Sequence, residues 1–313
     1  MSIIVEEGNK MENYLIETHK RKNKWKYIIF LVCAIAIIIL SAILGRKLGE
    51  KRYEEYVQEK TDQDFEILTN ISEEEQKKQE ELNKNKIPIA TETGKNNMKK
   101  VYSSTSDAKR VFLTFDDGPS SNVTPLILDV LKQNNIKATF FTLGSRVNQN
   151  PQIVKRAYNE GHYIANHGYS HVYSSIYASE DNLLDEYNKT EEAIKNAIEV
   201  PEYTSHLFRF PGGSIGGKYD SVKKQYKKKL EEQGIFYVDW NCLNEDATGN
   251  RTKEQLVQYI KDTSVNKNSV VVLMHDAGDK ILTYETLQEV IDYFKDSGYT
   301  FYNFYDLIEY ELK

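Results

Sequence analysis

The sequence predicts an α/β fold, a parallel sheet or barrel with helices on its outside. Two observations carry this. From about Lys109 onward, short runs rich in β-branched and aromatic residues alternate with longer runs of helical apolar spacing. Unusual polar residues also fall at the ends of the expected strands, where folds made of repeated β-α units place their chemistry.

In chain order, the first element expected is a membrane span. Residues 27–45, YIIFLVCAIAIIILSAILG, contain no charge. At about 1.5 Å per residue they nearly match a hydrocarbon core of about 30 Å, and Trp25 and Tyr27 sit at one rim. A cleaved signal peptide is the alternative, but the run is longer than an h-region and Arg46-Lys47 follow it directly. Lys20, Arg21, Lys22, Lys24 and Lys26 crowd the N-terminal side, so residues 1–26 are expected inside the cell and the C-terminal domain outside. Cys33 lies in the apolar run and Cys242 far downstream, so no disulfide is expected between them.

Residues 46–107 are expected as a charged stalk and linker. The stretch to about residue 86 is rich in Glu, Lys and Gln and lacks a sustained heptad. Fully helical, it would reach roughly 60 Å. Pro88 ends it, and Thr91 to Asn97 reads as a flexible linker.

Residues 108–313 form the expected catalytic domain. Its strands are expected at Val111–Phe115, Ala138–Leu143, Tyr163–Asn166, Leu207–Phe210, Phe236–Asn241, Val270–His275 and Tyr299–Phe301. Helices are expected at Thr124–Asn134, Pro151–Glu160, Asn182–Ile198, Tyr219–Gln233, Thr252–Thr263 and Tyr284–Asp296. A net charge of −6 over 313 residues gives no sign of a nucleic-acid partner.

The first strand ends in Asp116-Asp117, then Gly118-Pro119. Adjacent carboxylates at a buried strand end repel and lose solvation, and a bound cation would offset that cost. His167 and His171, after the third strand, would share one face of a helical turn. Two imidazoles and a carboxylate suit zinc with open positions, and cobalt or another divalent ion is also possible. The other carboxylate could act as base toward a metal-activated water, kept ionised by Arg209 at a neighbouring strand end. His275, at the end of the sixth strand, is a natural proton donor to a leaving group. His162 and His206 have no such partners and read as ordinary histidines.

These residues resemble the polysaccharide deacetylases of carbohydrate esterase family four, the NodB-homology domain, over about residues 108–310. Thr114-Phe115-Asp116-Asp117-Gly118-Pro119 is similar to the first family motif and implies Asp116 as base and Asp117 as metal ligand. His167-Gly168-Tyr169-Ser170-His171 is similar to the second, with Gly168 in place of Ser or Thr. It implies both histidines as ligands. Arg209-Phe210-Pro211-Gly212 resembles the third, with Gly212 in place of an aromatic. Its backbone N–H could still serve an oxyanion, but one groove wall is lost. Leu273-Met274-His275 resembles the fifth and implies His275 as acid and Leu273 as lining for the acetyl methyl. For the carboxylate behind His275, Asp239-Trp240 has the letters of the fourth motif, while Asp246-Ala247 sits where the pair usually falls. Asp246 is the expected partner, and Pro211 and Trp240 join Gly212 and Leu273 as expected substrate-binding residues.

The resemblance implies a distorted (β/α) barrel. It also implies metal-dependent removal of N-acetyl groups from cell-wall amino sugars, with peptidoglycan N-acetylglucosamine the first expectation. N-acetylmuramic acid or another acetylated polysaccharide is the alternative. A silent glycan-binding scaffold on the same fold would predict a broken base, ligand or acid, and all are present. An anchor-and-stalk assembly module is a third reading, which the sparse apolar stripe supports little.

Overall fold

The computed structural model describes residues 88–103, 108–308 and 310–312. The expected membrane run 27–45 and the stalk to residue 86 lie outside these residues. Among the described residues, no helix is long and apolar enough to cross a membrane.

The sheet is parallel and curled. Its strands are β2 (Lys109–Asp116), β3 (Thr139–Thr142), β4 (Tyr163–Asn166), β5 (Leu207–Phe208), β6 (Phe236–Tyr237), β7 (Cys242–Leu243), β8 (Ser269–His275) and β9 (Tyr299–Tyr302). The order is β6-β5-β4-β3-β2-β8-β7, with β9 also paired to the first half of β2. The two ends, β6 and β7, are joined by only Val238 to Asn241. Five Cα steps span at most about 18 Å. Six flat inter-strand steps would need about 29 Å. The sheet must therefore curl until its ends nearly meet, as in a distorted barrel.

Between strands run α2 (Thr124–Gln133), α3 (Gly144–Gln149), α4 (Pro151–Asn159), α5 (Tyr173–Ile176), α6 (Glu180–Ile198), α7 (Asp220–Glu232), α8 (Lys253–Ser264) and α9 (Ile281–Asp296). Their starts follow from local chemistry. Pro125 and Pro151 lie in the first turns of α2 and α4, where a missing N–H costs nothing. Ser179 caps α6, and Thr252 with Gln255 makes a reciprocal capping box on α8.

Strand alternation divides the core in two. Val111, Leu113 and Phe115 of β2, with Val270, Val272 and Met274 of β8, pack outward under the helices. Phe112 and Val271 face inward with Phe141, Leu207 and Phe304. Thr114, Asp116, Leu273 and His275 continue the inward rows, so the curl itself aims these side chains at its mouth.

Two expectations are corrected. Thr91–Asn97 is not a flexible linker. Residues Glu92–Lys99 form a helix, α1, whose N-cap Thr91 side chain accepts from the Gly94 amide. Met98 and Val101 join the inner core, Asn97 donates to the Leu307 carbonyl, and Ser269 Oγ donates to the Val101 carbonyl. A short strand, β1 (Pro88–Ala90), pairs antiparallel with β10 (Tyr310–Leu312). The expected strand Phe236–Asn241 is also cut short, ending at Tyr237. The carbonyls of Val238 and Asp239 accept from the Arg209 guanidinium, and the Asn241 side chain bridges Ser269 and Val271 on β8. The chain crosses there from one end of the sheet to the other.

Candidate active site

Asp116 and Asp117 leave β2 with different fates. Asp116 is buried (3% exposed) and its Oδ1 accepts from Arg209 Nη1 at 2.8 Å. Arg209 is fully buried and fixed by four further contacts. It donates to Thr114 Oγ1 at 2.7 Å and to the Val238 and Asp239 carbonyls, and its guanidinium lies 4.0 Å over the Phe141 ring. A fixed charged donor offsets the solvation that a buried carboxylate loses. Asp117 turns away with φ of +71°, in the left-handed region.

The Asp117 Oδ1 atom lies 3.3 Å from His171 Nε2 and 3.5 Å from His167 Nε2. Asp117, His167 and His171 each offer a ligand atom, all within 4.8 Å of one another. The donor set fits a divalent cation. The His167 Nδ1 lies 2.7 Å from the Arg209 carbonyl, which can only accept, so Nδ1 carries the hydrogen and donates it, and Nε2 is the ring nitrogen turned to the cluster. Burial, then the neighbouring His167 imidazole, lowers the His171 pKa and favours its neutral form. Asp117 Oδ1 is buried and has no hydrogen-bond partner among the described residues. Three lone pairs converging on one point are a costly arrangement without a cation.

The loop between the two histidines is not the helical turn expected from their spacing. β4 ends at Asn166 and α5 begins at Tyr173. Gly168 takes φ of +84°, a conformation that favours glycine, and His171 takes φ of +59°. Glu186 of α6, a buried carboxylate, shapes the loop. It accepts from the Tyr169 and Ser170 amides and from Ser170 Oγ, each at 2.7 Å. Asn166 Oδ1 accepts from the Gly168 amide.

His275 lies opposite Asp116 in the β2–β8 register, so the two occupy one level of the inner face. Its Nδ1 is 2.6 Å from Asp246 Oδ1, and its backbone amide donates to Asp246 Oδ2 at 2.8 Å. Thr283 Oγ1 donates to that same Oδ2. Burial works to lower the His275 pKa, but Asp246, helped by Asp116 and Asp117, pushes it up to about 9. Asp239, the other expectation for this partner, instead holds Ser214, accepting from its amide at 2.8 Å and from its hydroxyl at 2.6 Å.

The loop Pro211–Ser214 is braced by three side chains. Tyr177 Oη donates to the Pro211 carbonyl, Lys223 Nζ to the Gly213 carbonyl, and Asp239 holds Ser214. Trp240 lies against Gly213, where an added Cβ would come within 3.1 Å of its ring. Leu273 is buried on the same strand face as His275, two residues away. The space beside Gly212 is filled by Tyr173, since a Cβ there would stand 2.8 Å from Tyr173 Oη.

Of the two histidines read as ordinary, His162 is buried and its Nδ1 accepts from the Ala138 amide. Burial pushes His162 and His206 down to about 4. Glu186 and Tyr173 are the residues near the site that the sequence reading missed. Glu186 is one acid among many on a charged helix, and Tyr173 belongs to no motif. Asp276 follows His275 at the end of the same strand and was given no role. It is fully buried behind Gly118, where any Cβ would collide with its carboxylate, and burial pushes it up to about 7.

Comparison with known proteins places the chain among relatives of one family. A family profile described as "Polysaccharide deacetylase" matches residues 103–231. A Bacillus cereus protein named peptidoglycan-N-acetylglucosamine deacetylase is 34% identical over 211 residues, covering 66% of this chain and 91% of its own. The Bacillus subtilis peptidoglycan-N-acetylmuramic acid deacetylase PdaA is 29% identical over 213 residues, covering 66% and 74%. The structure of a Streptococcus mutans CE4 esterase superposes with a TM-score of 0.60 at 32% identity, covering 68% of this chain and 92% of that one. A curled parallel sheet with a ligand triad, a clamped carboxylate and a carboxylate-backed histidine at its mouth thus coincides with likeness over nearly the whole of a relative, and this chain belongs to the polysaccharide deacetylase family.

Proposed function

We propose that this protein is a hydrolase that removes N-acetyl groups from peptidoglycan N-acetylglucosamine, releasing acetate and leaving a free amine on the glycan. The observation that carries the reading is the division of labour around one point. Asp117, His167 and His171 are free to hold a cation, while Asp116 and His275 stand beside them on adjacent strands.

A divalent metal, zinc by the chemistry of the donor set, would be held by Asp117, His167 and His171 and would supply Lewis acidity toward the acetyl carbonyl and the attacking water. Asp116, held in place by Arg209, accepts the proton of that water. The Gly212 amide, on its braced loop, serves the developing oxyanion. Leu273 lines the acetyl methyl side. His275, protonated against Asp246, delivers a proton to the departing amine.

Residues 27–45 serve as a membrane anchor and the charged stretch after them as a stalk, with the catalytic domain facing the wall outside the cell. The uncharged run and the basic cluster before it support this reading. N-acetylmuramic acid is the second reading, favoured by the likeness to a relative named for that sugar.

The test is acetate release from N-acetylglucosamine oligomers and from purified peptidoglycan, with and without chelator. Metal-dependent release that vanishes in Asp116→Asn supports the reading. Release only from muramic acid residues would transfer it to the second sugar. No release from either would leave a silent binding scaffold.

A further inference from the structure

One exposed aromatic beside the metal ligands has no part in the chemistry described so far. Tyr173 opens α5, two residues after His171, and its ring stands edge-on to the His171 ring with centroids 5.4 Å apart at 72°. On its other side it meets Tyr177 at 6.0 Å and 78°. Tyr177 is buried and its hydroxyl is committed to the Pro211 carbonyl. Tyr173 is different. It is 39% exposed, and its hydroxyl makes no hydrogen bond among the described residues.

Its position is fixed by what the opposite loop lacks. Gly212 takes φ of +73°, and a Cβ there would meet Tyr173 Oη at 2.8 Å, Cε2 at 3.1 Å and Cζ at 3.2 Å. The phenol therefore lies directly against the Gly212 backbone, in space that a side chain would have filled. It bridges the ligand loop and the loop that presents the Gly212 amide. Val172, 51% exposed, and Ile215, 74% exposed, extend an apolar rim from these two loops.

An exposed ring with a free hydroxyl beside a hydrolytic centre is poorly explained by packing. A core aromatic would be covered, and a hydroxyl at a buried joint would be paired. The same two features suit a pyranose, whose axial C–H face packs on a ring while its hydroxyls need partners.

We propose that Tyr173 is a substrate-contacting residue that forms one wall of the sugar subsite at the metal ligands. Its ring packs on the N-acetylhexosamine being deacetylated, and its hydroxyl bonds a hydroxyl of the glycan chain. This rests on the hydrolase reading above and adds a residue that sets glycan affinity.

The test uses the full-length protein and N-acetylglucosamine oligomers, comparing Tyr173→Ala and Tyr173→Phe with wild type for kcat, KM and bound metal. Loss of the whole wall should raise KM about tenfold or more while kcat changes less, as expected for an interaction made equally in ground and transition states. Tyr173→Phe keeps the ring and should raise KM about threefold, the share of one neutral hydrogen bond. Metal stoichiometry should match wild type in both. An unchanged KM in Tyr173→Ala would overturn the proposal and leave the hydrolase reading intact. Loss of metal in Tyr173→Ala would also overturn it, because the residue would then act by supporting His171. Absence of acetate release by wild type on every glycan would overturn the hydrolase reading, and the subsite with it.

Discussion

Replacing Asp246 with Asn isolates what one carboxylate does for His275. Burial alone would hold this imidazole below its ordinary 6.5, yet it sits at about 9 because Asp246 bonds and faces it at 2.6 Å. The rise from 6.5 to about 9 corresponds to about 3 kcal/mol favouring the charged ring, at 1.36 kcal/mol per pH unit. The side chains are 12% and 5% exposed, so solvent screens little of it. A divalent cation on Asp117 cancels part of the surrounding negative field, so the metal-loaded enzyme lies below this value, but the Asp246 hydrogen bond remains. His275 donates a proton, so the alkaline limb of kcat/KM follows its pKa. In Asp246→Asn burial prevails and that limb should move to lower pH by about two units, a rate loss of about 10-fold at pH 8 that grows toward about 100-fold by pH 10. The assay is acetate release across pH 5 to 10 with bound metal measured in parallel. An alkaline limb in the same place as wild type, with metal retained, would refute the reasoning. Stability should follow the same sign. A raised histidine pKa gives stability that is full below 6.5 and fades as pH rises through about 9. Asp246 is lowered by the same contact after burial is overcome, so its contribution is present above its ordinary 3.8 and fades as pH falls through its folded value. The two describe one pair and are not added.

Further outcomes follow from other contacts. Asp117→Asn should lose metal by elemental analysis, whereas Asp116→Asn should keep metal and lose turnover, because only the first carboxylate lies between the histidines. Glu186→Gln should weaken metal affinity about tenfold in chelator competition without unfolding, since Glu186 holds the loop between the ligands from behind. A fragment starting at residue 108 should be less stable than one starting at residue 85. It loses the buried Met98 and Val101 side chains, about 3–6 kcal/mol together. The measurement is thermal melting, where the shorter fragment should melt at least about 6 °C lower. Equal melting temperatures would show that this segment adds nothing to the inner core.

Much of the site was legible because its cost was visible in the residues. Adjacent carboxylates after Val111-Phe112-Leu113 make no sense in a core, and buried parallel strands leave continuous apolar runs. The fate of Thr91–Asn97 was hidden because its polar letters suit a loop or a helix equally. Only the inward contacts of Met98 and Val101 decide between them. The break after Tyr237 was hidden for a different reason. Phe236, Tyr237, Val238 and Trp240 are strand-like letters, but the Val238 and Asp239 carbonyls serve a guanidinium instead of a neighbouring strand. The loop carrying His167 and His171 showed the right spacing for the wrong shape, since Glu186 bends it from sixteen and seventeen residues away in the chain.

The crossing from β6 to β7 has a consequence for how activity relates to folding. Its carbonyls at Val238 and Asp239 hold the guanidinium that holds Asp116. The closing seam of the sheet and the arming of the base are thus one event. Opening the seam would release Arg209 while the strand carrying the two aspartates stayed paired with β3 and β8. In rising denaturant, turnover should then vanish before the bulk of the helices melts, and catalysis becomes a local gauge of whether the two ends of the sheet still meet.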